Sequence, residues 1–301
     1  MATQGDADVV DAMMHSCRGG RIVSLALLFL FAASTLSSQV IPAQYWPMPK
    51  GFRAQTSESP PVELPKRKNP QILVLVYHNL VYGRPGNEIM RDLYNFENDL
   101  AYLARNYRII DFHDLAAIAE GRQKLVSDAA IITFDDGDLS MYAIAFPLLR
   151  AYGIKATFFI ISGMLGQVGY IAPAQMREMS QWKSPDGRRL FDFQSHSENH
   201  NYFSHLKPEE LNLELVRSKH AIEAITGRTV DTVALPFGDG AFLPGIQAAA
   251  KAAGYTRIRT TSPLPMSASS IDRMGLSGFN VTSYSSDRFV SDAERMMGRS
   301  P

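Results

Sequence analysis

Short apolar runs alternate with amphipathic stretches along most of this 301-residue chain, and this alternation is what most limits its fold. The apolar runs have the length of buried strands, whereas the stretches between them carry apolar residues at helical spacing. The predicted strands are 72–77, 107–110, 129–134, 155–161, 190–194, 232–235 and 256–259. The predicted helices are 95–106, 111–120, 139–152, 173–181, 208–226 and 241–253. Strands and helices that alternate in this way build a parallel α/β fold whose helices cover the sheet.

Over about 220 residues, closure into a distorted (β/α) barrel is more economical than an open sheet, although periodicity alone does not separate the two.

Polar motifs follow four of the predicted strands. Functional sites in both architectures lie at the carboxyl ends of the strands. The motifs are His78, the pair Asp135-Asp136, the segment 196–200 and the turn Pro236-Phe237-Gly238. We expect them on one rim of the sheet.

The segment 196–200 and Asp136 together have the composition of a metal site. His196 and His200 are four residues apart, so on a helical turn both rings face the same side and can reach one ion. Such a pair is common by chance, and it is Asp136, as a third ligand, that makes a metal site the favoured interpretation. Two imidazoles and one carboxylate leave open positions for water and substrate, as in catalytic zinc sites. Zinc suits this ligand set best, and cobalt, nickel or iron fit it as well.

Asp135 is predicted to act separately from its neighbour. A metal ion lowers the pKa of water towards about 7, but a nearby base must still accept the proton during attack. Asp135 is the candidate base. Asp-Asp-Gly after a strand is also what a capped tight turn requires, so the histidines are needed to favour the catalytic interpretation. His113 and His220 lie inside predicted helices without an acidic cluster and are interpreted as surface or structural residues.

Composition excludes several functions. The formal net charge is zero, so no overall field attracts nucleic acid or an anionic membrane. Cys17 is the sole cysteine, which rules out an intrachain disulfide and a cysteine-based zinc site in the body of the chain.

The first 69 residues are predicted to lie outside the folded domain. Arg18 and Arg21 precede an apolar run over 22–33 and then small residues, which indicates a signal peptide within 1–40 or, alternatively, an uncleaved signal anchor. Residues 41–69 are rich in proline, serine and charge and are interpreted as a tether. The domain is placed at 70–290, with a C-terminal tail at 291–301. We expect a secreted or cell-envelope protein that meets a membrane only through the N-terminal segment.

The motifs resemble those of a known family. Thr133-Phe134-Asp135-Asp136-Gly137 and His196-Ser197-Glu198-Asn199-His200 are similar to the first two motifs of the NodB-type polysaccharide deacetylases, the family 4 carbohydrate esterases. The resemblance covers roughly residues 69–274. It implies a distorted (β/α) barrel, a divalent ion on Asp136, His196 and His200, and Asp135 as the base.

Two departures from the family pattern point to one branch of it. The third motif has Ala234-Leu235-Pro236-Phe237-Gly238 where the family has Arg-x-Pro-Tyr, and no histidine follows His220 to act as the acid. His78, after the first strand, is the best replacement acid, although it could be a structural histidine. Tyr-His at that place and a third motif without arginine resemble the enzymes that deacetylate poly-β-1,6-N-acetylglucosamine.

The resemblance leads to a specific expectation of function. The chain should remove N-acetyl groups from an extracytoplasmic N-acetylglucosamine polymer, with β-1,6 linkage favoured over peptidoglycan or chitooligosaccharides. A catalytically weak carbohydrate-binding or matrix-assembly module is the alternative of another class, because the motif arginine is missing. The predicted substrate-binding and oxyanion residues are Pro236, Phe237, Gly238, Trp182 and Tyr202.

Overall fold

A computed structural model describes residues 63–299 of the chain. The predicted signal segment and most of the predicted tether lie outside these described residues. Within them, no helix has both the length and the apolar character required to cross a bilayer.

Strands and helices alternate along the described chain. The strands are β1 Gln71–Tyr77, β2 Asn79–Val81, β3 Met90–Asp92, β4 Arg108–Ile109, β5 Ala129–Phe134, β6 Ala156–Ile160, β7 Phe191–Ser195, β8 Thr232–Ala234, β9 Arg257–Arg259, β10 Met266–Ser267 and β11 Phe279–Asn280. The helices are α1 Leu93–Asn106, α2 Phe112–Ala119, α3 Phe146–Tyr152, α4 Pro173–Gln181, α5 Pro208–Thr226, α6 Pro244–Ala252 and α7 Ser286–Met296. The long helices begin and end where the caps predict: Pro208 starts α5, and Gly227, in the left-handed region, ends it.

One curled sheet forms the centre of the fold. Its main path runs β1-β5-β6-β7-β8-β9, and every neighbouring pair on this path is parallel. Strand β4 pairs with the first half of β5, and β10 and β11 both pair with β1. Because the strands are parallel, their carboxyl ends meet at one rim, as the sequence predicts.

An irregular segment closes the sheet between its first and last strands. On one side, Leu276 exchanges backbone hydrogen bonds with β9 and the residue after it: Leu276 N–H donates to Ile258 (2.9 Å) and Leu276 C=O accepts from Thr260 (2.8 Å). On the other side, β11 pairs in parallel with β1, and Val281 N–H donates to Val76 (2.9 Å). The predicted α/β fold of the distorted-barrel type is therefore confirmed.

The core lies on both faces of the sheet. One face packs against most of the helices and buries Leu73, Leu75 and Tyr77 of β1, while Ile72 and Val74 point to a second apolar cluster that includes Ile131 and Phe159. This alternation is the two-residue period of a strand. The chain is long enough to fill both layers with apolar side chains, which leaves the rim free to carry polar ones.

The domain extends beyond its predicted end. Helix α7 crosses residue 290, and its Phe289 and Ala293 are fully buried against the core. Farther on, Glu294 accepts a hydrogen bond from the Tyr102 hydroxyl and Arg299 forms an ion pair with Asp128. The boundary at residue 290 thus falls inside a packed helix, and 291–299 is part of the fold rather than a tail.

Candidate active site

Four strand ends bring the predicted polar residues to one rim. Asp135 and Asp136 follow β5, His78 follows β1, His196 follows β7 and the turn Pro236–Gly238 follows β8. Backbone hydrogen bonds carry the sheet up to these positions, because Asp135 N–H donates to Tyr77 and His196 N–H donates to Ile160, both at 2.9 Å. The rim position predicted from the sequence is what the fold produces.

Asp136, His196 and His200 form a cluster suited to a cation. Their ligand atoms all lie within 4.8 Å of one another, and Asp136 Oδ1 is 3.5 Å from the Nε2 atom of each histidine. Asp136 Oδ1 is also buried without a hydrogen-bond partner among the described residues. A buried carboxylate oxygen without a donor is costly unless something else binds it. The donor set and this oxygen fit a divalent ion such as zinc.

Neighbouring groups set the protonation of these ligands. His196 is buried, and its Nδ1–H donates to the carbonyl of Ala234 at 2.8 Å, which directs Nε2 at the cluster. Burial raises the pKa of Asp136, but the nearby histidines, with His196 contributing most, outweigh it and lower this pKa to about 2. Burial and the charge of His196 lower the pKa of His200. An ionised Asp136 and a neutral His200 are the states that bind a metal ion.

Asp135 has a different partner from Asp136. Its Oδ2 forms an ion pair with the guanidinium of Arg259, the last residue of β9, and both side chains are buried. Its Oδ1 is buried with no hydrogen-bond partner among the described residues. Arg259 is held in turn over the ring of Phe159, 5.1 Å from its centroid. One carboxylate oxygen is therefore anchored, and the other can accept a proton.

Arg259 is a site residue that the sequence interpretation missed. The family pattern places the arginine in the third motif, after β8, and Arg259 comes from the next strand instead. A signal was present, since Arg257 and Arg259 alternate in a strand that is otherwise predicted to be buried. Two arginines at that spacing share one face of a strand and require buried acidic partners.

His78 lies beside the metal cluster. It is partly exposed, and its charge acts on Asp136 and on His200, lowering the pKa of each. The register of β1 on β5 aligns Tyr77 with Phe134, so His78 and Asp135 are the next residues on neighbouring strands. An imidazole with one side open to solvent and the other close to the carboxylates can deliver a proton to a bound substrate.

The turn after β8 supplies an aromatic surface and one free donor. The ring of Phe237 stacks on Tyr202 with centroids 4.1 Å apart and lies 4.5 Å from the His200 ring. Pro236 has no N–H, and the Gly238 N–H donates to Leu235 within the turn (2.9 Å). The Phe237 N–H is therefore the donor of this turn that has no partner among the described residues. Phe237 keeps a φ of 60°, a strained value that functional sites often retain.

Trp182 is not brought to this rim. It ends helix α4 and packs against Phe191, the first residue of β7, with ring centroids 5.6 Å apart. His196 follows the last residue of the same strand. At the usual rise of a strand it lies about 16 Å from Phe191. The polar loop around Trp182 suggested an exposed side chain, but the neighbouring apolar strand partly buries it.

The chain is similar to several known proteins. Residues 122–258 match the family model described as polysaccharide deacetylase. The Bacillus subtilis protein YxkH is 26% identical over 219 residues, which covers 72% of this chain and 74% of YxkH. The Staphylococcus aureus poly-β-1,6-N-acetyl-D-glucosamine N-deacetylase is 24% identical over 243 residues, covering 72% of this chain and 77% of the relative. The solved structure of Streptococcus pyogenes deacetylase PplD in complex with acetate has a TM-score of 0.65 at 21% identity, covering 75% of this chain and 99% of PplD.

Proposed function

The chain carries a polysaccharide deacetylase domain of the NodB type, a hydrolase of N-acetyl amide bonds, and from this premise we propose that its substrate is an extracytoplasmic N-acetylglucosamine polymer with β-1,6 linkages. The observation that carries the hydrolytic mechanism in this proposal is the separation of two carboxylates at the end of β5. Asp136 faces two histidines, whereas Asp135 is paired with a buried arginine. These are the environments that a metal ligand and a general base need.

Asp136, His196 and His200 would hold the divalent ion. When bound, such an ion lowers the pKa of water and polarises the acetamide carbonyl. Asp135 accepts the proton of the attacking water on its unpartnered Oδ1, while Arg259 fixes the other oxygen. This arrangement holds the base in one orientation.

The remaining residues stabilise charge and release the amine. The Phe237 N–H can donate to the oxygen that becomes negative when water adds to the carbonyl. His78 then donates a proton to the amide nitrogen as the C–N bond breaks, which yields acetate and a free amino sugar. Tyr202 and Phe237 present their stacked rings next to His200, a surface suited to the apolar face of a pyranose ring.

Three observations support the β-1,6 linkage or the extracytoplasmic location. Tyr77-His78 stands at the end of the first strand, and the third motif lacks arginine, both as in the branch that acts on poly-β-1,6-N-acetylglucosamine. A relative over 72% of the chain bears that activity in its name. Such a polymer lies outside the cytoplasm, which agrees with the basic and apolar segment near residue 22.

The alternative of an inactive carbohydrate-binding module depended on the missing motif arginine. Arg259 supplies a guanidinium to Asp135, and this removes the reason for that alternative. Peptidoglycan and chitooligosaccharides remain the competing substrates, because the loops at the rim select among sugar linkages.

Acetate release from defined oligomers tests the proposal. The purified protein, loaded with zinc, should release acetate from β-1,6-linked N-acetylglucosamine oligomers at least about tenfold faster than from β-1,4-linked oligomers or peptidoglycan fragments. Chelation should abolish release and added zinc should restore it. Asp135→Asn should lower kcat by at least about 10³-fold, since general-base catalysis is lost and the Arg259 pair is weakened. Equal or faster release from β-1,4 oligomers would overturn the linkage, and full turnover in Asp135→Asn would overturn the mechanism.

A further inference from the structure

The loop that carries His200 is held in a strained conformation. Ser197 and His200 both have positive φ values, 67° and 60°, which residues with side chains seldom adopt. Each such residue costs about 1–3 kcal/mol and persists only where its surroundings fix it. Something next to this loop must therefore stabilise it.

The carboxylate of Glu214 on helix α5 makes most of the side-chain contacts that do so, while the Ser197 hydroxyl accepts a hydrogen bond from His200 N–H (2.9 Å). Glu214 is buried, with 4% of its surface exposed, and accepts hydrogen bonds on both oxygens. Oε2 accepts from the backbone N–H groups of Glu198 (2.9 Å) and Asn199 (2.8 Å). Oε1 accepts from the side-chain amides of Asn199 (2.9 Å) and Asn201 (2.8 Å). These donors lie on both sides of His200 along the chain.

The opposite side of the loop packs against the segment after β6. Ser162 N–H donates to Ser197 (3.1 Å) and Gly163 N–H donates to Glu198 (2.9 Å), so the chain around Glu198 is hydrogen-bonded on two sides. A Cβ atom at Gly163 would lie 2.7 Å from the Glu198 carbonyl oxygen, which shows how closely the two segments pack. With this support behind the loop, Glu214 fixes the chain on both sides of His200.

We propose that Glu214 is a positioning residue that orients His200 for the divalent ion, and that the strength of metal binding depends on its carboxylate. This inference rests on the proposed function only in taking Asp136, His196 and His200 as the metal ligands. Glu214 touches neither ion nor substrate. It stabilises the strained loop before the ion binds. The ion then does not have to order its ligands, and its affinity is higher for that reason.

A carboxylate is required because all four partners are donors. Glutamine has the same shape, but its NH₂ group would face either the two backbone N–H groups or the two asparagine amides. Glu214→Gln therefore removes two hydrogen bonds and adds a repulsive contact without emptying any volume. We expect the dissociation constant for Zn²⁺ to rise about 10–100-fold, the usual effect of changing a group that orients a metal ligand.

Metal binding in the full chain tests this inference directly. Zn²⁺ affinity is measured by competition with a chromophoric chelator, the visible spectrum of the Co²⁺-loaded protein reports ligand geometry, and urea unfolding reports the stability of the metal-free protein. Glu214→Gln should weaken Zn²⁺ binding and alter the Co²⁺ spectrum. The matched control is Glu209→Gln, on the exposed first turn of the same helix, which should change neither.

Asn201→Ala provides a second variant, which does not change the charge of the protein. It deletes one of the four donors and should raise the Zn²⁺ dissociation constant by a smaller factor, with little additional effect in the Glu214→Gln background. Wild-type Zn²⁺ affinity in a folded Glu214→Gln protein would overturn the inference, as would wild-type affinity in Asn201→Ala if Glu214→Gln does not fold. The measured quantity is metal affinity, so the result holds even if no polymer releases acetate. Failure of this inference can therefore be distinguished from failure of the proposed function.

Discussion

Adjacent aspartates at the end of β5 face different partners. Asp136 has a φ of 78°, which turns its carboxylate towards the histidines while Asp135 points to Arg259. A strand alone would also separate them, since successive side chains point to opposite faces. The sequence could predict that two roles exist, but the partner of Asp135 is 124 positions away and lies beyond any local pattern.

Arg259→Met should separate catalysis from stability. The change leaves a buried carboxylate without its cation, so we expect a loss of about 3–5 kcal/mol in the free energy of unfolding and a fall in kcat of about 10²-fold or more. Arg257→Met is the control, because Arg257 is also buried and pairs with Asp231, away from Asp135. Both variants should lower stability in urea titrations, whereas acetate release should collapse only in Arg259→Met. Equal kcat losses in the two variants would contradict a specific role for Arg259.

His78→Gln tests the assignment of the acid. Glutamine keeps a polar side chain at the end of β1 but supplies no proton, so kcat should fall about 10²-fold to 10⁴-fold. Zinc affinity should stay within a few fold of wild type, since His78 is not a member of the metal cluster. His220→Gln, on the exposed side of α5, is the control and should keep full activity. A His78→Gln enzyme with wild-type kcat would show that the proton comes from elsewhere.

At the scale of elements, the functional loops are short and irregular. The loop after β7 and the turn after β8 are joined by Asp239, which accepts hydrogen bonds from Ser204 N (2.6 Å) and Ser204 Oγ (2.9 Å). This contact keeps Tyr202 and Phe237 stacked beside His200. Periodicity predicts the strands that precede these loops, but it has no signal for contacts between two loops.

Helix α2 is tied to the amino end of β7 by a titratable pair. His113 Nε2 lies 3.5 Å from Asp192 Oδ2, and Arg228 lies 3.3 Å from the other oxygen. The hydrogen bond with Asp192 raises the pKa of His113, against the opposing effect of partial burial. This agrees with the interpretation of His113 as a structural residue.

The pair should give a pH-dependent contribution to stability. Because the folded pKa of His113 is raised above its ordinary value of 6.5, the stabilisation is complete below pH 6.5 and is lost as pH rises through the folded pKa. His113→Gln should therefore lower the free energy of unfolding, and with it Tm, more at pH 5.5 than at pH 9; the difference should be at most about 1 kcal/mol because the histidine is half-exposed. Differential scanning calorimetry at the two pH values measures this, and 1 M salt should shrink the difference. A penalty that grows towards pH 9 would contradict the assignment.

At the scale of the whole molecule, the alternation of strands and helices and a barrel-like closure were predictable, but the segment that makes the closure was not. Strand β5 and helices α4 and α5 have the predicted bounds, because each is long, strongly patterned and bounded by glycine, proline or an end of its apolar run. The segment 273–281 bridges β9 and β1 with almost no regular structure, so no pattern marks it. Helix α7 is polar on one side, and its apolar face becomes meaningful only once α1 is in place to cover it.

The position of α7 makes the C-terminal limit of the domain testable. A chain of residues 63–290 keeps only the first turn of α7, and a helix that short is not stable alone. It would expose Phe289 and release Ser286, which accepts a hydrogen bond from Arg91 and donates one to Asp99 inside a buried ion pair. The same cut removes one partner of Tyr102 and one of Asp128, namely Glu294 and Arg299.

We expect residues 63–290 to be less stable than residues 63–299 by at least about 3 kcal/mol, from the loss of a buried aromatic side chain and of buried polar contacts. Urea unfolding followed by circular dichroism measures the difference as a lower midpoint at a similar slope. Phe289→Ala in the longer chain should reproduce a large part of it, because Phe289 is fully buried between α7 and α1. Equal midpoints for the two chains would mean that the contacts of 291–299 add nothing to the fold. A midpoint lowered by the truncation but not by Phe289→Ala would assign the stabilisation to the ion pairs of Arg299 and the Tyr102–Glu294 contact instead.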